Sequence, residues 1–148
     1  LELLLVIALI AIMMGLVVPS LGVSTGRSLS EAADRMVLLV NRARQEAVLS
    51  TRTWRVVLEP GKQAYRFQKR YGQDFEAAKE SPFSAVRRDP AIEWEELSIN
   101  GEVASGEGEV FLYPTGEQDT FRLTLRSGEK RRIVVMDPVG RARVERPE

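Results

Sequence analysis

The sequence predicts an α+β protein, with a long N-terminal helix, transmembrane in its first half, packed on an antiparallel β-sheet domain. Three observations predict it. No charged side chain occurs from Leu3 to Gly26, apolar residues recur at intervals of three and four from Leu29 to Val48, and beyond Ser50 the period falls to two. The chain accordingly divides into residues 1–26, a hydrophobic transmembrane helix, and residues 27–148, a globular domain with a helix over 28–51 followed by β-strands.

The balance of charge hides this division. The 148 residues contain 21 Lys+Arg and 21 Asp+Glu. Of the first 22 residues, 17 are apolar and only Glu2 is charged, so almost every charge lies in the second part. Cysteine and histidine are both absent. That excludes disulfides, thiolate zinc sites, thiol nucleophiles, imidazole ligands and any Ser-His-Asp triad. No P-loop, G-x-S-x-G or dinucleotide fingerprint is present either. No catalytic residue, metal site or cofactor is expected.

The uncharged run from Leu3 to Gly26 would measure roughly 36 Å as a helix, enough for a hydrocarbon core of about 30 Å. A cleavable signal peptide is the rival. It would begin with a basic region and end at an A-x-A-like site, whereas here the start is Leu1-Glu2 and Pro19-Ser20-Leu21-Gly22 follows. Pro19 lacks a backbone donor and disfavours helical geometry at Val18, so a kink or local melting is expected there, helped by Gly15 and Gly22. Glu2 beside the apolar run has two readings. It is either a carboxylate at the membrane–water interface or one with a buried partner, most simply a backbone amine of a neighbouring chain.

Leu1-Glu2-Leu3-Leu4-Leu5-Val6-Ile7-Ala8-Leu9-Ile10-Ala11-Ile12, followed by Gly15 and Pro19-Ser20-Leu21, resembles the class III signal region of type IV pilins and type II secretion pseudopilins. The resemblance implies that a leader and a few mature residues precede Leu1, that a prepilin peptidase removes the leader and methylates the new N-terminus, and that Glu2 pairs with a neighbouring subunit's N-terminal amine during assembly. It also implies an inner-membrane anchor, single-pass, with the C-terminal domain in the periplasm.

The second helical pattern follows a polar stretch from Ser24 to Ser28. Ser28 or Ser30 is placed to cap it, with Glu31 in the first turn. Leu29, Ala32, Ala33, Met36, Val37, Val40, Ala43, Ala47 and Val48 form its apolar stripe. After it, Trp54, Val56 and Leu58 alternate with more polar positions, Pro60-Gly61 signals a turn, and Ala64 to Arg70 alternates again: a hairpin. Residues 72–91 read as a long polar connection. Strands are expected within Ile92–Ile99 and at Val110–Tyr113. Phe121–Arg126 and Ile133–Met136 pair across Ser127-Gly128, and Asp137-Pro138-Val139-Gly140 turns into a last strand around Ala142 and Val144. The whole is expected to be one meander on the second half of the helix.

Pro114-Thr115-Gly116-Glu117 before Thr120–Leu125, and Asp137-Pro138-Val139-Gly140-Arg141, are similar to the H-type minor pseudopilins (GspH) and their relatives, the FimT and FimU kind of minor pilin. The resemblance implies a structural subunit of the type II secretion pseudopilus whose partners are other major and minor pseudopilins. The major pseudopilin's acidic calcium loop has no counterpart here. The alternative is a minor pilin that binds DNA for natural transformation or primes pilus assembly, because Gly140-Arg141-Ala142-Arg143 resembles the Gly-Arg-x-Arg element of DNA-capturing pilins. Charge is polarised in a way that bears on this. Residues 70–109 carry four basic and ten acidic side chains, net −6, and residues 121–148 eight basic and four acidic, net +4. Arginines bind phosphate bidentately, which makes Arg131, Arg132, Arg141 and Arg143 the candidate contacts, although Glu129, Asp137 and Glu145 interrupt them. Glu93, Glu95 and Glu96 could supply paired carboxylates, but a strand or helix start rich in Glu is far more often solvated. Trp54 and Trp94 are expected in the core or at an interface.

Overall fold

The computed structural model describes residues 1–7, 21–84 and 89–146, and of residues 21–26 the backbone alone. Among the described residues helix α1 (Leu21–Ser50) is followed by nine strands: β1 (Trp54–Glu59), β2 (Ala64–Tyr71), β3 (Asp74–Ala77), β4 (Glu93–Ile99), β5 (Glu102–Val103), β6 (Gly108–Leu112), β7 (Phe121–Ser127), β8 (Lys130–Met136) and β9 (Arg143–Glu145). The α+β class and the antiparallel strands are as the sequence predicts.

Leu29, Ala33, Met36, Val40, Ala43 and Ala47 form the buried stripe of α1, at alternating steps of four and three. Leu39 is buried beside them, while Val48, expected in the stripe, is 46% exposed. The expected caps are corrected too. The backbone runs helically through Ser28 and Ser30, so neither ends a helix. Serine and glycine suggest a break by propensity, at up to about 1 kcal/mol per glycine. Extending a helix that already exists costs less than starting a new one.

The strands form two sheets, not one meander. Their orders are β3-β2-β1-β6 and β5-β4-β7-β8-β9, with every pairing antiparallel. β6 leaves its chain neighbours and returns to lie beside β1, with Val56 opposite Val110. Period-two patterning identifies a strand but not its partner. The polar connection expected over 72–91 also contains a strand, β3, whose Arg70–Phe75 register closes a tight turn. The helix packs across β7, β8 and β9 and the end of the other sheet, and one apolar cluster joins all three layers. Phe83, downstream of β3, inserts its ring edge-on into this cluster, 4.9 Å from Trp54 and 5.2 Å from Phe67. The outer edge of β6 is closed by its own loop. Phe111 N–H donates to Asp119 Oδ2 at 2.9 Å and Asp119 N–H returns to Phe111 O at 3.0 Å, which leaves little edge for another strand.

The two sheets approach closely at Gly108, where a β-carbon would collide with Ile99 Cδ1 and lie 3.7 Å from Leu97 Cδ2. Because the colliding atom is the movable end of a partly buried side chain, Gly108→Ala is expected to cost no more than about 1 kcal/mol, the low end of the overpacking range. Adding Ile99→Val, which deletes the colliding methyl, should recover most of that loss in a denaturation series. Additive losses would show that the clash is not the cause.

Glu59 ends β1 as the one buried charge among the described residues, between Lys62 Nζ at 2.9 Å and Arg66 Nη1 at 2.7 Å. Hydrogen bonds from Lys62 and then Arg66 hold its carboxyl below the ordinary value. A depressed folded pKa adds stability that is present above the unfolded value, about 4.3, and is lost as pH falls through the folded one. Glu59→Gln should therefore lose stability at neutral pH and show a shallower fall of Tm with acidification. Parallel curves for the two proteins would refute the assignment.

Candidate functional site

Residues 2–7 are helical, closed at their start by Leu5 N–H to Leu1 O at 3.2 Å. Every residue from Leu1 to Ile7 is exposed, and Glu2 stands among them without an ion pair to any described residue. Five of these side chains are Leu, Val or Ile beyond Glu2, each worth roughly 1.5–3 kcal/mol on full burial. The protein itself supplies no cover for them among the described residues. Pro19, and with it the expected kink, lies outside the described residues, as do residues 8–20 of the expected span. Among the described residues no helix is long and apolar enough to cross a membrane.

The C-terminal arginines are mostly committed within the domain. Glu95 lies where the β4–β7 register slips between Trp94 and Glu96, a bulge that turns its carboxylate toward β8. Arg131 grips it with two bonds, Nε at 2.7 Å and Nη2 at 2.9 Å, and this holds the Glu95 carboxyl below its ordinary value. Arg126 pairs with Glu93. Arg143 pairs with Asp137 and reaches Glu145 at 2.8 Å, while Arg122 meets the same Glu145 at 3.0 Å. Arg132 donates to the carbonyl of Arg131 at 2.8 Å. Arg141 is exposed and has no side-chain partner among the described residues. The four candidates thus do not form one free basic patch. Two of them, Arg131 and Arg143, are tied to carboxylates, Arg131 to Glu95 and Arg143 to Asp137 and Glu145, while Glu93 holds Arg126, so Glu93 and Glu95 are ion-pair partners rather than a paired acid and base.

Two amides that the sequence does not single out hold the C-terminal segment in place. Asn41, beside the buried stripe of α1, donates through Nδ2 to Ala142 O at 3.0 Å and accepts from Ala142 N–H at 2.8 Å. It acts toward Ala142 as a neighbouring strand would. Gln118, buried before β7, donates through Nε2 to Asp137 O at 2.7 Å and Gly140 O at 3.0 Å. The signal for Asn41 was available, since asparagine is a poor mid-helix residue and one next to buried Val40 implies a tertiary partner. Nothing near Gln118 marks it.

A cleft of about 530 Å³ opens between α1 and β4, with Met36, Tyr65, Ile92, Trp94 and Leu125 in its lining and Arg35 and Asp89 among its polar residues. Tyr65 and Trp94 stack there, 6.5 Å between centroids. Trp54 lies in the core and Trp94 at this half-buried wall. Among the described residues no group of three or more acidic side chains is placed to hold a metal ion.

The GspH family model, described as type II transport protein GspH, matches residues 32–140, which takes in most of α1 and eight strands. Two solved structures of the minor pseudopilin EpsH from the type II secretion system of Vibrio cholerae share the fold. One has a TM-score of 0.67 at 14% identity over 80% of this chain and 97% of its own, and the other 0.64 at 13% over 87% and 100%. No curated protein matches the chain. With the family matched from the helix to the turn before β9, the chain belongs to the GspH family of type II transport proteins and has the fold of a minor pseudopilin.

Proposed function

We propose that the protein works by assembly, as a minor pseudopilin that joins other major and minor pseudopilins in the type II secretion pseudopilus, with no catalytic step of its own. The family match over residues 32–140 carries this proposal. The exposed apolar start supports it, because a row of uncovered Leu, Val and Ile side chains is stable only among lipids or other helices. In this scheme residues 1–26 anchor the subunit in the inner membrane after prepilin peptidase has processed it. The domain faces the periplasm, Pro19 relaxes the helix, and Glu2 pairs with a neighbour's N-terminal amine. Pairing of Arg131 and Arg143 inside the domain supports assembly over duplex capture, since a phosphate would have to displace Glu95 or Asp137 first.

The test is incorporation. Glu2→Ala, in the full chain co-expressed with the other pseudopilins, is expected to lower incorporation at least about tenfold, the scale of one lost buried charge pair. The level and fold of the subunit should not change. Undiminished incorporation would remove the role given to Glu2. A gel shift with duplex DNA at low salt should show no retention that depends on Arg141 and Arg143, and retention lost on their replacement by alanine would favour the DNA-binding pilin instead.

A further inference from the structure

We infer that the loop from Asp137 to Ala142 is a preorganised docking element for a protein partner that presents a carboxylate beside an apolar recess. The inference rests on the proposal that the chain assembles with other subunits, and it names the surface and the chemistry of one contact.

The loop is held from beneath at both ends. Gln118 binds the carbonyls of Asp137 and Gly140, and Asn41 binds both backbone groups of Ala142. The Asp137 side chain is itself engaged by Arg143. Gly140, at φ +110°, takes a backbone conformation that other residues adopt only under strain. A four-residue apex therefore stands on a base whose backbone is pinned at Asp137, Gly140 and Ala142.

What the apex shows to solvent is the second half of the inference. Pro138 and Arg141 are exposed and Val139 is 85% exposed. The fixed base means that little chain entropy remains to be lost when a partner seats on the loop. Arg141 is the loop's uncompensated cation among the described residues, because Asp137 is taken by Arg143 and Glu145 is shared by Arg122 and Arg143. A guanidinium flanked by a valine and a proline matches a planar carboxylate at the rim of an apolar recess. A nucleic acid is the poorer match. Val139 and Pro138 offer nothing to phosphate, and within the loop a single arginine gives one phosphate contact where specific tracking needs several.

The chain has no cysteine, so Val139→Cys creates a single attachment point. The full chain carrying it is co-expressed with the remaining pseudopilins of its secretion system, its cysteine is then labelled with a maleimide photo-crosslinker, and after illumination crosslinks are mapped by mass spectrometry. A parallel chain labelled through Leu3→Cys reports incorporation itself. The expected result is a crosslink from position 139 to one neighbouring subunit within a segment containing Asp or Glu. It should fall about tenfold with Arg141→Glu and persist in part with Arg141→Lys. Crosslinks from position 3 without any from 139 would overturn the docking loop and leave assembly standing. Crosslinks from neither would overturn both. A crosslink from 139 indifferent to Arg141→Glu, or duplex DNA retention dependent on Arg141, would also overturn the inference.

Discussion

Trp54→Ala is expected to unfold the domain at temperatures where the parent is intact, with a loss of about 3–5 kcal/mol. Trp54 is 1% exposed, starts the strand shared by β2 and β6, and meets Phe83 edge-on at 4.9 Å. Removing the indole would leave a cavity bounded by that ring and by the stem of Lys69, whose ammonium lies 5.6 Å from the ring centroid. Because domains of this size are stable by only about 5–15 kcal/mol, the loss takes a large share of the total. Chemical denaturation read by the fluorescence of Trp94, the one tryptophan left, measures it directly. Trp54→Phe should cost much less. The indole N–H has no hydrogen-bond partner among the described residues, so phenylalanine keeps most of the ring contact and removes a buried donor that is not satisfied there. Equal losses for Phe and Ala would show that the indole nitrogen has a partner that matters.

Asn41→Ala is expected to release the C-terminal segment rather than the whole domain. Both backbone groups of Ala142, a residue 3% exposed, would lose their partner. At about 1–3 kcal/mol for each buried group left unpaired, a loss near 2 kcal/mol is expected for two partly buried bonds. Hydrogen exchange at the Ala142 amide should accelerate by one to two orders of magnitude, about 1.4 kcal/mol per factor of ten, while amides in β7 change little. Asn41→Asp separates the two bonds. It keeps an acceptor for Ala142 N–H but sets an oxygen against Ala142 O, so the amide stays partly protected while stability still falls. Unchanged protection at Ala142 in Asn41→Ala would mean that β9 pairing with β8 alone holds the segment.

What was legible in the sequence follows from which forces act locally. The buried stripe of α1 and the strands at Trp54, Phe121 and Ile133–Met136 could be read because side-chain periodicity is a property of neighbouring residues, although the last begins three residues earlier, at Lys130. Turn chemistry at Pro60-Gly61 and Ser127-Gly128 is local in the same way. The split into two sheets was not legible. It depends on β6 choosing β1 over β4 and β7, a competition between surfaces far apart in the chain. The Ser28 and Ser30 caps failed for a related reason, since a local signal for a break is overridden by helix on both sides. At the candidate site, composition showed seven arginines in the last third but not their commitments. Those depend on β4 lying beside β7 and on a bulge at Glu95 that no residue type announces. Glu2 could be singled out by position alone, as a lone acid beside an apolar run.

The return of β6 to the first sheet sets the order in which this chain can fold. β1 has a partner on one side as soon as β2 follows it, but the backbone groups of Trp54–Leu58 on the other side wait for residues 108–112. In the meantime the chain has laid down β4 and β5, which pair with each other in the second sheet, and the other edge of β4 waits for β7. Neither sheet is complete halfway along the chain, so no half-domain can form a stable intermediate as the polypeptide emerges. Pairings this distant close slowly, and a chain that is still incomplete has open strand edges and an unroofed Trp54. A chain that ends before Leu112 is therefore expected to be a substrate for proteases and chaperones rather than a smaller version of the domain.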